Sequence, residues 1–318
     1  MNFSNRLNNH IESSYFAPRG RARIYDVGMR IAQGYLSPFD QLIGVFGEAG
    51  SGKSALIKGM FPGLELTNDD EGVNVRPLPI LHQEDESGFF TPHTYHMDVR
   101  FEQGFTQLPV LADAVQMAIS RGKRVVIEHF DMIYPFLRRN ADLLIGVGEE
   151  IVISRPNLFG PYPDEIKEQA YNSLKYRLMA HTSEDLCEFC MPNELINTCT
   201  HDDIHHGFIL AFDDTPPDID LVSLEEGVRA IIHKDVPIEY HDDSHILING
   251  HLHPCTGPRT HVSHTGEITG FSLLKRFIYD KVNDRYLMVA CVGENSEANV
   301  EHLDKINRWQ SGEDVPGL

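Results

Sequence analysis

The order of apolar and polar positions splits the chain into two stretches of different character. In the first, short apolar runs bounded by turn residues alternate with segments of helical periodicity. Leu42 to Phe46, Lys123 to Asp131 (built on Val125 to Ile127), Leu143 to Val147 and Glu150 to Ser154 read as strands. Tyr95 to Phe101 reads as a further strand carrying Asp98, and Gly63 to Asp70 as one that ends in acids. Arg21 to Leu36 sets Ile24, Val27, Ile31 and Leu36 at helical spacing, and Ala55 to Phe61 and Leu108 to Arg121 follow as helices. Residues 1–20 read as loosely ordered, and 71–93, polar and rich in Pro and Gly, as a long loop or lid. Strands alternating with helices predict a parallel sheet with ligands at the strands' carboxyl ends.

From about Asp164 the pattern changes. Tyr171 to Ala180 reads as a helix leading into His181, and 12 of the 17 histidines lie between His181 and His302. Four of the five cysteines fall between Cys187 and Cys255. The expected organisation is an α/β domain over 1–165 and an α+β domain over 166–318, each large enough to bury a core.

Composition narrows the function classes. Apolar (41%) and charged (23%) fractions are those of an ordinary globular chain. No apolar run approaches a bilayer span and the first ten residues are polar, so a cytoplasmic protein without a membrane partner is expected. An odd number of cysteines does not describe a secreted disulfide framework. The formal net charge of −20 disfavours tRNA as a partner, because nucleic-acid affinity comes mainly from Lys and Arg on phosphates. A small molecule, a nucleoside or an amino acid, is the favoured substrate.

One stretch carries explicit chemistry. Gly47-Glu48-Ala49-Gly50-Ser51-Gly52-Lys53-Ser54 is a Gly-x4-Gly-Lys-Ser phosphate cradle set between a predicted strand and a predicted helix, the context that its chemistry needs. The backbone N–H groups at the helix start favour a polyphosphate, Lys53 reaches its β/γ end and the Ser54 hydroxyl binds Mg²⁺. ATP or GTP with Mg²⁺ is therefore the expected cofactor. Glu128, at the end of an apolar strand, stands where a nucleotide enzyme needs a carboxylate for that Mg²⁺. Asp69 and Asp70, after the predicted second strand, are candidates for the base that takes the acceptor's proton.

Gly47 to Ser54, with Val125 to Pro135, makes residues 40–165 resemble the uridine kinase and phosphoribulokinase group of P-loop kinases. The resemblance implies a P-loop NTPase fold and phosphoryl transfer. The arginine-rich lid of active members has no counterpart here, Arg138, Arg139 and Arg155 being the nearby substitutes.

Thr260-His261-Val262-Ser263-His264-Thr265-Gly266-Glu267-Ile268, with Gly207 to Asp213 and Leu224 to Ile232 upstream, makes residues 170–295 similar to the second additional, editing domain of threonyl- and alanyl-tRNA synthetases. That resemblance implies a Zn²⁺ site at His181, Asp185, Cys255 and His261. Asp185 replaces the family's second histidine, and Arg259-Thr260 lengthens the Cys-to-His spacing. Cys187-x2-Cys190 with Cys199 offers a rival half-knuckle, His251-x-His253 could donate to a site shared with Cys255, and His205 and His206 with Asp202 and Asp203 read as a solvated turn.

Three functions follow from these features. The first is a Mg²⁺-dependent kinase or NTPase whose second domain recognises the acceptor. The second is a metal-dependent hydrolase of mischarged aminoacyl-tRNA, and the third a non-catalytic nucleotide or amino-acid sensor.

Overall fold

The structure, a computed structural model, describes residues 12–18, 20–67, 78–81, 93–196, 198–213 and 215–311. Two compact units divide at Leu174/Lys175, with residues 18–20 belonging to the second. No helix among the described residues is long and apolar enough to cross a membrane.

The first unit runs β1 (Glu12–Phe16), α1 (Arg21–Tyr35), β2 (Leu42–Phe46), α2 (Lys53–Met60), β3 (Thr94–Asp98), α3 (Val99–Glu102), α4 (Leu108–Ser120), β4 (Arg124–Glu128), α5 (Phe130–Leu137), β5 (Leu143–Val147) and β6 (Glu150–Ser154). Its six-stranded sheet has the order β1-β6-β5-β2-β4-β3. The four strands β5, β2, β4 and β3 are parallel, while β6 and β1 add on antiparallel, so the sheet is mixed rather than the expected all-parallel one. Alternation along the strands fills both faces. Leu42, Phe46, Val125, Ile127 and Leu144 pack with α4 and α5, whereas Ile43, Val45, Val126, Ile145 and Val147 pack with α1 and α2. Loops at the carboxyl ends of the central strands are thereby held by a rigid two-faced core.

Three expectations here are corrected. Residues 12–16 are a strand against β6 rather than loosely ordered chain. Gly63 to Thr67 form a turn, not a strand; Leu66 and Thr67 are buried, but the Thr67 N–H donates to His96 Nδ1 (3.1 Å) instead of joining a ladder. The strand after it stops at Asp98, because Asp98 Oδ1 accepts the Phe101 N–H (3.1 Å) and starts α3.

The second unit is entered along α6 (Pro163–Cys190), a 28-residue helix where only Tyr171 to Ala180 was expected. Then come α7 (Asn193–Ile196), β7 (Cys199–Ile204), β8 (Gly207–Asp213), α8 (Leu221–Lys234), β9 (Ile238–Asp242), β10 (His245–Ile248), β11 (His251–Pro254), β12 (Ser272–Leu273), β13 (Ile278–Asp280), β14 (Arg285–Cys291) and α9 (Ser296–Ser311). One antiparallel sheet has the order β12-β14-β8-β7 with β13 also on β14, and a second has the order β11-β10-β9. Met179, Leu186, Phe208, Leu210, Val228, Ile246 and Met288 share one core, packing the carboxyl half of α6 and α8 against these strands.

Candidate functional site

In the first unit, β2 ends at Phe46 and the chain turns through Gly47 to Gly52 before α2 begins at Lys53. Gly52 closes the turn with φ 93°, a left-handed conformation that a side chain resists. A Cβ there would also stand 2.4 Å from Ile24 Cδ1, so only glycine fits. The first N–H groups of α2, which have no partner within the helix, open at this turn. Lys53 is 8% exposed; its Nζ donates to the Glu48 carbonyl (3.0 Å) and lies 3.5 Å from Glu128 Oε2. Ser54 follows in the first turn of α2.

Glu128 arrives from the neighbouring strand, where β4 pairs in parallel with β2 and sets Val45 opposite Glu128. It is 4% exposed. His96, on β3, holds its other oxygen: His96 Nδ1 accepts from the Thr67 N–H, which leaves the proton on Nε2 to donate to Glu128 Oε1 (3.2 Å). Burial pushes the Glu128 carboxyl up, but the His96 hydrogen bond and the Lys53 charge outweigh it and hold the group below its ordinary value. His129, a left-handed residue (φ 56°) that begins the turn into α5, is pushed down, first by burial and then by Lys53 and Arg100.

Asp98, beside Glu128 in the strand register, brings a second buried carboxylate to the same edge. Oxygens of Asp98 and Glu128 and a ring nitrogen of His129 lie within 4.8 Å of one another. In the sequence Asp98 reads only as an acid carried by its strand, and neither it nor His129 is given a site role; an acid ending the strand next to Glu128 is the available signal. Asp69 and Asp70 lie outside the described residues.

The arginines considered as lid substitutes do other work. Arg155 pairs with Asp40 Oδ2 (2.7 Å) and also donates to the Tyr35 carbonyl, and Arg139 pairs with Asp142 (3.0 Å). Asp40 and Asp142 stand just before the starts of β2 and β5, at the amino ends of these strands and so at the far end from the turn that follows β2. Among the described residues, Arg100 does face the turn, 3.6 Å from Glu48 Oε2.

The second unit gathers the four predicted metal ligands. His181 and Asp185 stand one turn apart on α6, while Cys255 and His261 flank the loop after β11. His261 Nε2 is 2.7 Å from Asp185 Oδ2, Cys255 Sγ is 3.4 Å from His181 Nε2 and 3.7 Å from His261 Nε2, and His181 Nε2 is 4.0 Å from Asp185 Oδ1. All four donor atoms lie within 4.8 Å of one another. Bonds of about 2.0–2.3 Å to a tetrahedral Zn²⁺ set its ligand atoms about 3.3–3.8 Å apart, close to this spread.

The surroundings favour the same reading. His181 Nδ1 sits 3.1 Å from the Thr260 carbonyl and His261 Nδ1 3.2 Å from that of Pro258. Each Nδ1–H is thus directed to a backbone acceptor, leaving both Nε2 lone pairs for the cluster. Gly257 packs against this ring face, where a Cβ would come within 2.7 Å of His181 Cε1. Burial, then the Asp185 charge, pushes the Cys255 thiol far up, so a metal must displace its proton on binding.

The rival cysteines do not converge. Cys187 is buried in the core, its thiol pushed well up by burial, and Cys190 packs at its margin. Cys199 meets Glu188 and His201 instead. Of the His251-x-His253 pair, His253 turns inward to Glu188, with an oxygen of Asp185 also within 4.8 Å of a ring nitrogen. His205 and His206 form the tight turn between β7 and β8, as read, while Asp202 and Asp203 belong to β7 itself. Compared with known protein families and with curated protein sequences, the chain matches neither a family model nor a curated relative.

Proposed function

We propose that the first unit is a P-loop domain that binds ATP or GTP with Mg²⁺ at Gly47–Ser54 and acts as a kinase or NTPase on a small, nucleoside-like molecule, with the second unit, an editing-like module, serving recognition. One observation carries this reading. The Lys53 ammonium is buried between a glycine-built turn and the Glu128 carboxylate, at the carboxyl ends of adjacent parallel strands. A triphosphate drawn onto the N–H groups of α2 takes Lys53 from the Glu48 carbonyl to its β/γ oxygens. Ser54 and Glu128 hold Mg²⁺, and the cations stabilise the charge of the transferring phosphoryl. Asp98 is the described carboxylate best placed to take an acceptor's proton.

The test is titration of the full chain with Mg²⁺–ATP and Mg²⁺–GTP, alongside Lys53→Ala, with circular dichroism as a control on folding. Loss of about 100-fold in affinity, some 2.7 kcal/mol, is expected in the variant. A correctly folded Lys53→Ala chain that binds as wild type does would end this reading. Tight binding with no phosphate release, whatever nucleoside is added, would assign the sensor role instead.

A second reading is favoured by the convergence of His181, Asp185, Cys255 and His261. It is a hydrolase of aminoacyl esters, in which Zn²⁺ held by these four groups would supply Lewis-acid chemistry to water or to the ester carbonyl once a ligand yields or the ion expands to five-coordinate. Deacylation of threonyl-, alanyl- and seryl-tRNA decides it: release at the background rate removes the reading.

A further inference from the structure

The carboxyl end of α6 carries a second group of buried metal-binding side chains, set apart from His181, Cys255 and His261. His181, Glu184, Asp185 and Glu188 recur at i, i+3, i+4 and i+7, one stripe of the helix, and all four are buried. On β7, Cys199 and His201 are two residues apart and so project from the same face of the strand. The two stripes meet. Glu188 Oε1 is 3.1 Å from His201 Nε2 and 3.4 Å from Cys199 Sγ, and Cys199 Sγ is 4.0 Å from His201 Nε2. These distances straddle the roughly 3.3–3.8 Å that a tetrahedral Zn²⁺ sets between its donors, so small side-chain shifts would close the set on an ion.

Two further observations point to a ligand. Glu188 is 3% exposed, and its contacts among the described residues are two imidazoles and a thiol, with no lysine or arginine. A carboxylate taken out of water with only titratable imidazoles for counter-charge carries a desolvation cost, which a bound dication would offset. His253, also 3% exposed, faces the other oxygen of Glu188 at 3.7 Å, and its Nε2 makes no hydrogen bond among the described residues. The opposite ring nitrogen of His201 lies 3.4 Å from Glu184 Oε1, the carboxylate–histidine arrangement that orients a metal-ligating ring.

We propose that Glu188, Cys199 and His201 bind a second transition-metal ion of the zinc class, with Glu184 as the positioning residue for His201 and His253 standing at the other oxygen of Glu188. The mixed O, S and N donor set suits Zn²⁺ over Mg²⁺ or Ca²⁺. The two ions would be neighbours, since oxygens of Asp185 and Glu188 and a ring nitrogen of His253 lie within 4.8 Å of one another. The expected metal count takes an ion at His181, Asp185, Cys255 and His261 as given, the premise shared with the second reading, and adds this one to it.

The experiment is metal stoichiometry of the full-length chain, stripped with chelator, reloaded with Zn²⁺ and desalted, then repeated with Co²⁺ to read thiolate-to-metal charge transfer. Two equivalents are expected in the wild type and one in Cys199→Ser or His201→Gln. Cys255→Ser should also retain one, and the Cys199→Ser/Cys255→Ser double variant none. The cobalt charge-transfer band should fall by half in each single cysteine variant. A single wild-type equivalent that Cys255→Ser removes and Cys199→Ser leaves in place would overturn the second site while sparing the first. Two equivalents unaffected by Cys199→Ser and His201→Gln would overturn it as well. Should the variants fail to fold, the wild type alone decides: two equivalents with charge transfer from two thiolates supports the proposal, and one equivalent sinks it.

Discussion

The two units build their candidate sites from opposite materials. At Gly47–Ser54 the binding surface is backbone: one continuous turn, held by glycine geometry and by the strand and helix on either side of it. Around α6 the surface is side chain: His181 and Asp185 meet Cys255 and His261 from about 75 positions further along, and each imidazole is aimed by a carbonyl of another residue. A backbone site is inseparable from the core beneath it, because the turn leaves strands buried on both faces. A side-chain site has its specificity in groups that can be removed singly while the surrounding core keeps its packing. The difference predicts that stability and binding should be tightly tied in the first unit and separable in the second.

The largest expected effect tests the first half of that contrast. Glu128→Ala leaves Lys53 buried without its carboxylate and His96 without its acceptor. Removing one partner of a buried pair costs about 3–5 kcal/mol, so the urea midpoint of the first unit should fall with nucleotide affinity. A chain that lost binding at unchanged stability would break the comparison. The same group sets an acid limit. Because the folded protein holds the Glu128 carboxyl below its ordinary value, its contribution is fully present above about pH 4.3 and is lost as pH falls through the lowered folded value. Glu128→Gln, measured by denaturation over that acid range, should show a shallower loss than wild type.

The second half is tested by His261→Ala. Loss of a ligand that sits 2.7 Å from Asp185 Oδ2 should lower Zn²⁺ affinity by about 100-fold or more, roughly 2.7 kcal/mol. The far-ultraviolet spectrum should stay that of a folded chain, since Leu186, Phe208 and Met288 still close the core, and the chelator-treated melting temperature should fall by less than in Glu128→Ala, the loss coming from the Asp185 contact alone. Competition with a zinc-chelating dye reads the affinity, and collapse of the metal-free variant would show that here too site and core are one.

The same contrast governs how much could be read in advance. The bounds of β2, β5 and β6 were legible because fully buried strands appear as unbroken apolar runs. The glycine-rich turn Gly47–Ser54 was legible because its pattern is contiguous. Helix α6 was cut short at Ala180 because the residues that follow, His181, Glu184, Asp185 and Glu188, place polar groups where a helix facing a core ordinarily has apolar ones. Gly63 to Thr67 misled in the other direction: Leu64 and Leu66 give a strand's alternation, yet the backbone is satisfied by a histidine ring rather than by a neighbouring strand. The Cys199 group was invisible because attention to paired cysteines looks for Cys-x2-Cys, whereas its partners are a histidine two residues along a strand and a glutamate on a helix.

The smallest predicted effect is also the most selective, because it moves a ligand without deleting one. In Gly257→Ala the new methyl would stand 2.7 Å from His181 Cε1 and 3.5 Å from Nδ1, so the ring must tilt. That tilt weakens the contact of Nδ1 with the Thr260 carbonyl, now 3.1 Å, and swings Nε2 away from Cys255 and Asp185. Disturbing a group that orients a metal ligand lowers affinity by about 10–100-fold, and the lower end is expected here because all four donors remain. Zn²⁺ affinity by dye competition should fall about tenfold, with the metal-free melting temperature near that of the wild type. Unchanged affinity would mean that the ring is not held where its second nitrogen and Gly257 put it. The side-chain site would then owe less to its supporting backbone than the contrast between the two units requires.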